Sequence, residues 1–260
     1  MCYDIKSHKN KQLKEAIFKG ADEYDIEQLE REIEELEKMA PQYHHVSGFD
    51  HPDLLLITDD YKPHLFNWGL IPYWIKDSVA AEKIRNTTLN ARGETLFEKP
   101  AFREAAKKRR CLVIVDGFYE HHHCNKRTYP FYIQYKDNKA MVLAGIWERW
   151  KNNDEIRNTF SIVTCAGNSL LEKIHNNPKM EGPRMPLILP PDKHHEWLKE
   201  IKTEDDLKTI NDLIKPMNAE ELIAYTVPVL RGKNGVGNKP EASEKFIHDD
   251  FNFEEYHISE

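Results

Sequence analysis

The sequence has few cysteines and no long apolar run, and both absences limit what the protein can be. Four cysteines, Cys2, Cys111, Cys124 and Cys165, are scattered over 260 residues without a CxxC pair, so no disulfide framework is indicated. No apolar stretch approaches the ~20 residues that span a bilayer, and the first residues lack an apolar signal region. These features predict a reduced, cytoplasmic protein without a membrane role.

The net charge of -7 is distributed unevenly along the chain. Residues 22–38 hold nine acidic and two basic residues, and residues 241–260 hold seven acidic residues and one basic residue. The rest of the chain carries a net charge of +6. A basic surface between two acidic segments would suit a nucleic acid, so the overall charge does not exclude DNA or RNA.

The hydrophobic pattern predicts one α+β domain over residues 1–240, followed by an acidic C-terminal tail at 241–260. Ile26, Leu29, Ile33 and Leu36 recur at helical spacing, which predicts an acidic helix over 22–38 as a surface insertion. Strands are predicted at 53–58, 64–74 (with a turn), 111–120, 129–135, 141–150, 159–167, 185–190 and 223–230, and helices near 98–110, 191–200 and 204–214. The gaps between the central strands are too short for crossover helices, so these strands are predicted to pair antiparallel.

Cys2 directly follows Met1. If Met1 is removed, Cys2 presents an α-amine and a thiol on adjacent carbons, which no other residue type can do. An α-amine has a reference pKa of about 8, against about 10.4 for lysine, so much more of it is neutral and nucleophilic near pH 7. The alternative is an ordinary buried cysteine in a first strand.

Glu120 lies in the segment DGFYEHHH, where an apolar strand is predicted to end. A carboxyl group at the junction of a buried strand and a loop can have a raised pKa and exchange protons, although a surface glutamate is the simpler interpretation. Neighbouring side chains on an extended segment alternate in direction, so at most His121 and His123 share a face, and no zinc site is predicted.

Three further motifs contain residue types suited to a reactive site. Asn90 and Arg92 in LNARGET face the same side of an extended loop, where an amide and a guanidinium would suit an oxyanion or phosphate. His175, at the end of a predicted helix, is either a capping residue or a proton carrier. Trp68 and Trp74 in WGLIPYW either pack in the core or stack on an unpaired base.

In this order, Met1-Cys2, WGLIPYW, LNARGET, the strand ending in DGFYE and H…RMPLIL resemble the SRAP family, the SOS-response-associated putative peptidases regarded as abasic-site shielding proteins. The motifs span residues 1 to about 190. The resemblance implies a mostly antiparallel, barrel-like β core flanked by helices. It also implies that Met1 is removed and that Cys2 forms a thiazolidine crosslink with the ring-opened aldehyde of an abasic site in single-stranded DNA.

The resemblance also implies the roles of individual residues. Cys2 would be the nucleophile, Asn90 would hold the sugar, and Glu120 and His175 would transfer protons. Contacts to DNA would come from Trp68, Trp74, Arg92 and Arg184. Neither a metal nor an organic cofactor is expected, and the protein is expected to act as a monomer.

The chain departs from the family pattern at three places. Tyr3 and Asp4 replace the usual Gly-Arg after Met-Cys, which removes a cation beside the nucleophile. His121 replaces the usual tryptophan. Eight residues, NNPKMEGP, separate His175 from Arg184, and this insertion would act on the position of His175 relative to Cys2.

Two other functions are compatible with the same residues. A free α-amine can act as base for its own thiol, which would suit an N-terminal-nucleophile amidohydrolase or self-processing peptidase. A non-covalent reader of single-stranded or modified DNA would use Trp68, Trp74, Arg92 and the basic segment 99–110.

Overall fold

The computed structural model describes residues 2–7, 41–178 and 181–251, together with Arg31, Glu35 and Lys38. Within these residues the chain forms twelve strands and five α-helices. The strands are β1 (Asp4–Ser7), β2 (Tyr43–Ser47), β3 (Asp53–Ile57), β4 (Pro63–Trp68), β5 (Asn90–Arg92), β6 (Arg110–Val115), β7 (Gly117–Cys124), β8 (Arg127–Tyr135), β9 (Met141–Asn152), β10 (Glu155–Ala166), β11 (Arg184–Pro186) and β12 (Leu222–Thr226). The helices are α1 (Ser78–Arg85), α2 (Arg103–Lys108), α3 (Ser169–Ile174), α4 (His194–Leu198) and α5 (Glu204–Asp212).

Five strands close into a barrel. β4 pairs with β3, β3 with β6, β6 with β9 and β9 with β10, all antiparallel, and β10 returns to β4 through a parallel pairing. The short strands β5 and β11 also pair with the long strand β10. The predicted α+β class and the mostly antiparallel, barrel-like core are therefore confirmed.

A second sheet has the order β12-β8-β7-β1-β2 and is antiparallel throughout. In it, β1 is paired on both sides, by β7 and by β2. This arrangement fixes the backbone next to Cys2, although a chain terminus is ordinarily poorly ordered.

The barrel and the second sheet share one hydrophobic core, which includes Ile5 and Phe118 from the sheet and Leu56 and Val113 from the barrel. Removal of each such side chain from water stabilises the fold by about 1.5–3 kcal/mol. The sheet pairing also requires Gly117, because a Cβ atom there would meet the carbonyl oxygen of Ile133 and the Tyr132 hydroxyl. The site therefore lies on a closely packed frame.

The structure corrects one detail of the predicted elements and adds another. The segment 111–120 is not one strand but two, β6 and β7, which are separated at Asp116, so Glu120 lies inside β7 rather than at the end of a strand. Residues 241–251 of the predicted tail pack on the fold: Ala242 and Phe251 are buried, and the amide of Phe246 donates to the carbonyl oxygen of Thr226.

The predicted helix at 22–38 lies outside the described residues, except for Arg31, Glu35 and Lys38, which are helical. The boundary at residue 240 stays a prediction. Among the described residues, no helix is long and apolar enough to cross a membrane.

Candidate active site at the start of the first strand

Cys2 lies two residues before the first residue of β1 and is 0% exposed. The carbonyl oxygen of Cys2 accepts a hydrogen bond from Asn90 Nδ2 at 2.7 Å. Asn90 begins β5, which is positioned by parallel pairing with β10, where Asn90 is opposite Ile162. Asn90, which is held by the barrel, thus contacts the backbone of Cys2 at the start of the second sheet. This contact brings two of the predicted site residues together.

Glu120 and His175 form a second contact in the same region. His175 Nδ1 lies 2.8 Å from Glu120 Oε2, and both side chains are largely buried. A carboxylate only accepts hydrogen bonds, so Nδ1 is the donor. His175 caps the C-terminus of α3, whose N-terminus is capped by Asn168. The insertion after His175 has therefore not separated this histidine from Glu120, because α3 fixes the histidine from its other side.

The buried groups have shifted pKa values. Burial raises the pKa of the Cys2 thiol, and the negative charges of Glu120 and Asp4 act in the same direction, so the thiol is protonated at neutral pH. Burial alone would raise the pKa of Glu120, but opposing interactions, led by the hydrogen bond from His175, outweigh it, and the pKa lies below its usual value. The expectation of a raised carboxyl pKa was wrong, because Glu120 has a hydrogen-bond donor that the sequence does not reveal.

The two predicted DNA-binding arginines differ in environment. Arg92 has a half-exposed side chain whose only ion pair among the described residues is with the exposed Glu181, at 3.6 Å, so it remains accessible to a phosphate. Arg184 is 9% exposed and donates to both carboxylate oxygens of Glu94, at 2.9 and 2.8 Å, and to the carbonyl oxygen of Thr164 at 2.9 Å. Its guanidinium joins β11 to the turn after β5, so Arg184 is less accessible than Arg92, and its contact with DNA stays a prediction.

The two tryptophans also differ. Trp68 is fully buried, its Nε1 donates to the carbonyl oxygen of Leu89 at 2.8 Å, and its ring packs on Phe160. Burial excludes stacking of Trp68 on a base, so this prediction was wrong. Trp74 is 42% exposed and remains available for such a contact.

Asp4 has two cationic or ionisable partners, His45 and Arg231, that could not be found from the sequence pattern. Asp4 is buried, and its Oδ1 lies 3.0 Å from His45 Nε2 and also contacts the Arg231 guanidinium. Arg231 follows β12 and is 227 residues from Asp4 along the chain. A half-exposed cation thus lies beside β1 although position 4 itself is acidic.

The histidines that follow Glu120 are packed against other parts of the fold and do not form a metal site among the described residues. His122 is buried, with Nδ1 3.1 Å from the carbonyl oxygens of Lys173 and Ile174 at the end of α3. Burial also lowers the pKa of His121. Within the described part of the chain, no group of three or more His, Cys, Asp or Glu side chains is placed to hold a metal ion.

Comparisons with known proteins agree with this architecture. The family model described as SOS response associated peptidase (SRAP) matches residues 1–233. The abasic site processing protein YoqW of Bacillus subtilis is 36% identical over 181 residues, which cover 68% of this chain and 75% of that protein. The abasic site processing protein HMCES of Xenopus tropicalis is 29% identical over 203 residues, 69% of this chain and 56% of that protein. A crystal structure of a protein from Bacteroides thetaiotaomicron superposes with a TM-score of 0.78 at 31% identity, over 95% of this chain and 100% of that chain.

Proposed function

The chain belongs to the SOS response associated peptidase (SRAP) family, and from this premise we propose that it processes abasic sites in single-stranded DNA by covalent attachment through Cys2. The observation that carries the proposal is the arrangement of Cys2, Asn90, Glu120 and His175: Asn90 holds the Cys2 backbone by a hydrogen bond, and a buried carboxylate–histidine pair lies near enough for the charge of Glu120 to raise the pKa of the Cys2 thiol. Met1 lies outside the described residues, and its removal by hydrolysis is part of the proposal.

The first step is imine formation. The neutral α-amine of Cys2 attacks the aldehyde carbon of the ring-opened deoxyribose, and the resulting carbinolamine loses water. Because the pKa of Glu120 is low, its carboxylate is ionised at neutral pH and accepts the proton that the amine loses on attack. The protonated carboxyl group then donates to the departing hydroxyl. His175 donates to Glu120 and holds it in place for both transfers.

The second step closes the ring. The Cys2 sulfur adds to the imine carbon, the thiol proton passes to the imine nitrogen, and a five-membered thiazolidine results; the overall reaction releases one water molecule. The raised pKa of the thiol keeps it protonated while the amine reacts, so imine formation precedes sulfur addition. The second attack is intramolecular, and effective molarities for such reactions can reach about 10⁵ M or more.

The remaining sequence predictions belong to the same proposal. Arg92 would bind a phosphate and the exposed Trp74 would contact a base. We also propose that the protein is monomeric and cytoplasmic.

Intact-protein mass spectrometry tests the proposal. The protein is incubated with a single-stranded oligonucleotide containing uracil, with and without prior treatment by uracil-DNA glycosylase. The expected product is a stable adduct equal in mass to the protein without Met1 plus the abasic strand minus one water, found only after glycosylase treatment. Cys2→Ala is expected to abolish the adduct, whereas Cys124→Ala, which removes a more accessible thiol, is expected to leave it unchanged.

Other results would favour the two alternative functions. DNA binding without an adduct, from protein that has lost Met1, would indicate a non-covalent reader. Release of peptide fragments or amide hydrolysis without an adduct would indicate an N-terminal-nucleophile hydrolase.

A further inference from the structure

An exposed aromatic pair lies directly beside Cys2. The rings of Tyr3 and Phe49 are 5.0 Å apart between centroids with an interplanar angle of 34°. Tyr3 is half-buried, whereas Phe49 is 47% exposed. The amide of Gly48 donates to the carbonyl oxygen of Tyr3 at 2.7 Å, which ties the turn that carries Phe49 to the start of β1.

The turn under Phe49 is built on the buried Trp68. Gly48 packs on the Trp68 ring so closely that an added Cβ would lie 3.2 Å from ring atoms. His51, in the left-handed region, places Nδ1 2.7 Å from the carbonyl oxygen of Trp68, and Ser47 accepts from the amide of Phe49 at 3.3 Å. Phe49 is therefore an exposed aromatic ring on a backbone held by several contacts, and a ring held in this way loses little conformational entropy on binding a ligand.

Tyr3, which directly follows Cys2, lies near the other reactive groups. Burial raises the pKa of the Tyr3 hydroxyl, and the charges of Glu120 and Cys2 act in the same direction while that of Arg92 opposes them. Tyr3 thus lies within the electrostatic reach of the nucleophile, of the proton-transferring carboxylate and of the accessible arginine.

We propose that Phe49 and Tyr3 form a stacking surface for the nucleobase next to the abasic site, an inference that rests on the proposed function. At an abasic site one base is missing, so the neighbouring base has lost a stacking partner on one face. The exposed ring of Phe49 offers a replacement surface, and stacking of this kind accepts any base because every base has a π face. Tyr3 replaces the glycine usual in the family and supplies the second ring.

Binding to an uncleavable analogue tests this surface without depending on the crosslink. Fluorescence anisotropy is measured with single strands that carry tetrahydrofuran, which has no aldehyde, in place of the abasic sugar. In two further strands the nucleotide on the 5′ or the 3′ side is also replaced by tetrahydrofuran. For the wild-type protein we expect loss of one of the two neighbouring bases to weaken binding about 5- to 150-fold, the equivalent of about 1–3 kcal/mol.

Substitution of Phe49 is expected to remove this sensitivity. In Phe49→Ala and Phe49→Leu, loss of the same neighbouring base is expected to change affinity by about twofold or less, and Phe49→Trp is expected to keep the wild-type ratio. Phe246→Ala is the matched control, because Phe246 is equally exposed, at 45%, but lies after β12, and it is expected to keep the wild-type ratio. Phe49→Leu retains apolar bulk and supplies a folded variant if the alanine variant is unstable.

The inference is overturned if the affinity of Phe49→Ala and Phe49→Leu depends on the neighbouring base as strongly as that of the wild-type protein. It is also overturned if the affinity of the wild-type protein does not change when either neighbouring base is removed. Its failure is distinct from failure of the proposed function. A wild-type protein that forms no adduct with a true abasic strand refutes the crosslinking chemistry, whereas the coupling between Phe49 and the neighbouring base is read from the analogue alone.

Discussion

Asn90→Ala is expected to slow crosslinking strongly while changing the stability of the fold only slightly. In the structure, Asn90 Nδ2 donates to the carbonyl oxygen of Cys2 at 2.7 Å, and Asn90 Oδ1 is buried with no hydrogen-bond partner in the part of the chain that the structure describes. The substitution removes the donor that positions Cys2 and at the same time removes this unsatisfied acceptor.

The expected change in stability is small. A buried acceptor without a donor costs about 1–3 kcal/mol, and Asn90→Ala exchanges one such acceptor, Asn90 Oδ1, for another, the carbonyl oxygen of Cys2. These two costs largely cancel, so the net loss is that of one hydrogen bond, about 1 kcal/mol. For a chain of this size such a loss lowers Tm by about 2–4 °C.

The expected change in rate is large. Loss of the contact frees the residue that carries both reacting groups, and a misplacement of about 1 Å costs roughly 10²-fold in rate. The assay measures the rate of single-turnover crosslinking to an abasic oligonucleotide and, separately, thermal unfolding. Asn152→Ala is the control, because Asn152, on the β9–β10 hairpin, also donates one side-chain hydrogen bond, to the Ser78 hydroxyl at 3.2 Å. A rate within threefold of wild type, or a fall in Tm above about 10 °C, would refute the reasoning.

Three further predictions concern single positions. Glu120→Gln is expected to slow crosslinking about 10²-fold with little change in affinity for the tetrahydrofuran strand. Because the pKa of Glu120 lies below its usual value, the wild-type rate should show no carboxylate limb above about pH 5, and a limb near pH 6 in a rate profile would contradict this. Trp74→Ala is expected to weaken binding of single-stranded DNA about 5-fold or more in anisotropy while leaving Tm unchanged. Trp68→Ala should instead lower the free energy of unfolding by about 3–5 kcal/mol in denaturant titrations. Equal effects at both positions would be inconsistent with the difference in burial between the two side chains. Gly117→Ala is expected to destabilise the fold by at least about 1–3 kcal/mol, and an unchanged denaturation midpoint would show that the second sheet can open at this point.

The sequence predicted the elements whose apolar pattern is local. The run CLVIV and the alternating segment YPFYIQY are typical of strands, and β6 and β8 occupy these positions. The division between β6 and β7 could not be read in the same way, because apolar residues continue across Asp116. The hydrophobic pattern indicates burial, whereas the change from one sheet to the other depends on pairing with distant strands.

The candidate site shows the same limit. The residue types at Asn90, Glu120 and His175 suggested chemistry, and the structure brings each into contact with Cys2 or with another member of the set. The state of Glu120 could not be predicted, because its low pKa depends on a histidine 55 positions later in the chain. Arg231 was missed for the same reason, since its partner Asp4 lies near the other end of the sequence.

The pairing of β1 on both sides links the chemistry of Cys2 to the order in which the chain is made. β1 finds its first partner at residues 43–47, but its second partner, β7, is complete only at residue 124. At a synthesis rate of about 5–20 residues per second, the interval between β1 and the end of β7 lasts on the order of ten seconds. Under the proposed function, we expect an aminopeptidase to remove Met1 from the nascent chain during this interval, before β1 is paired on both sides.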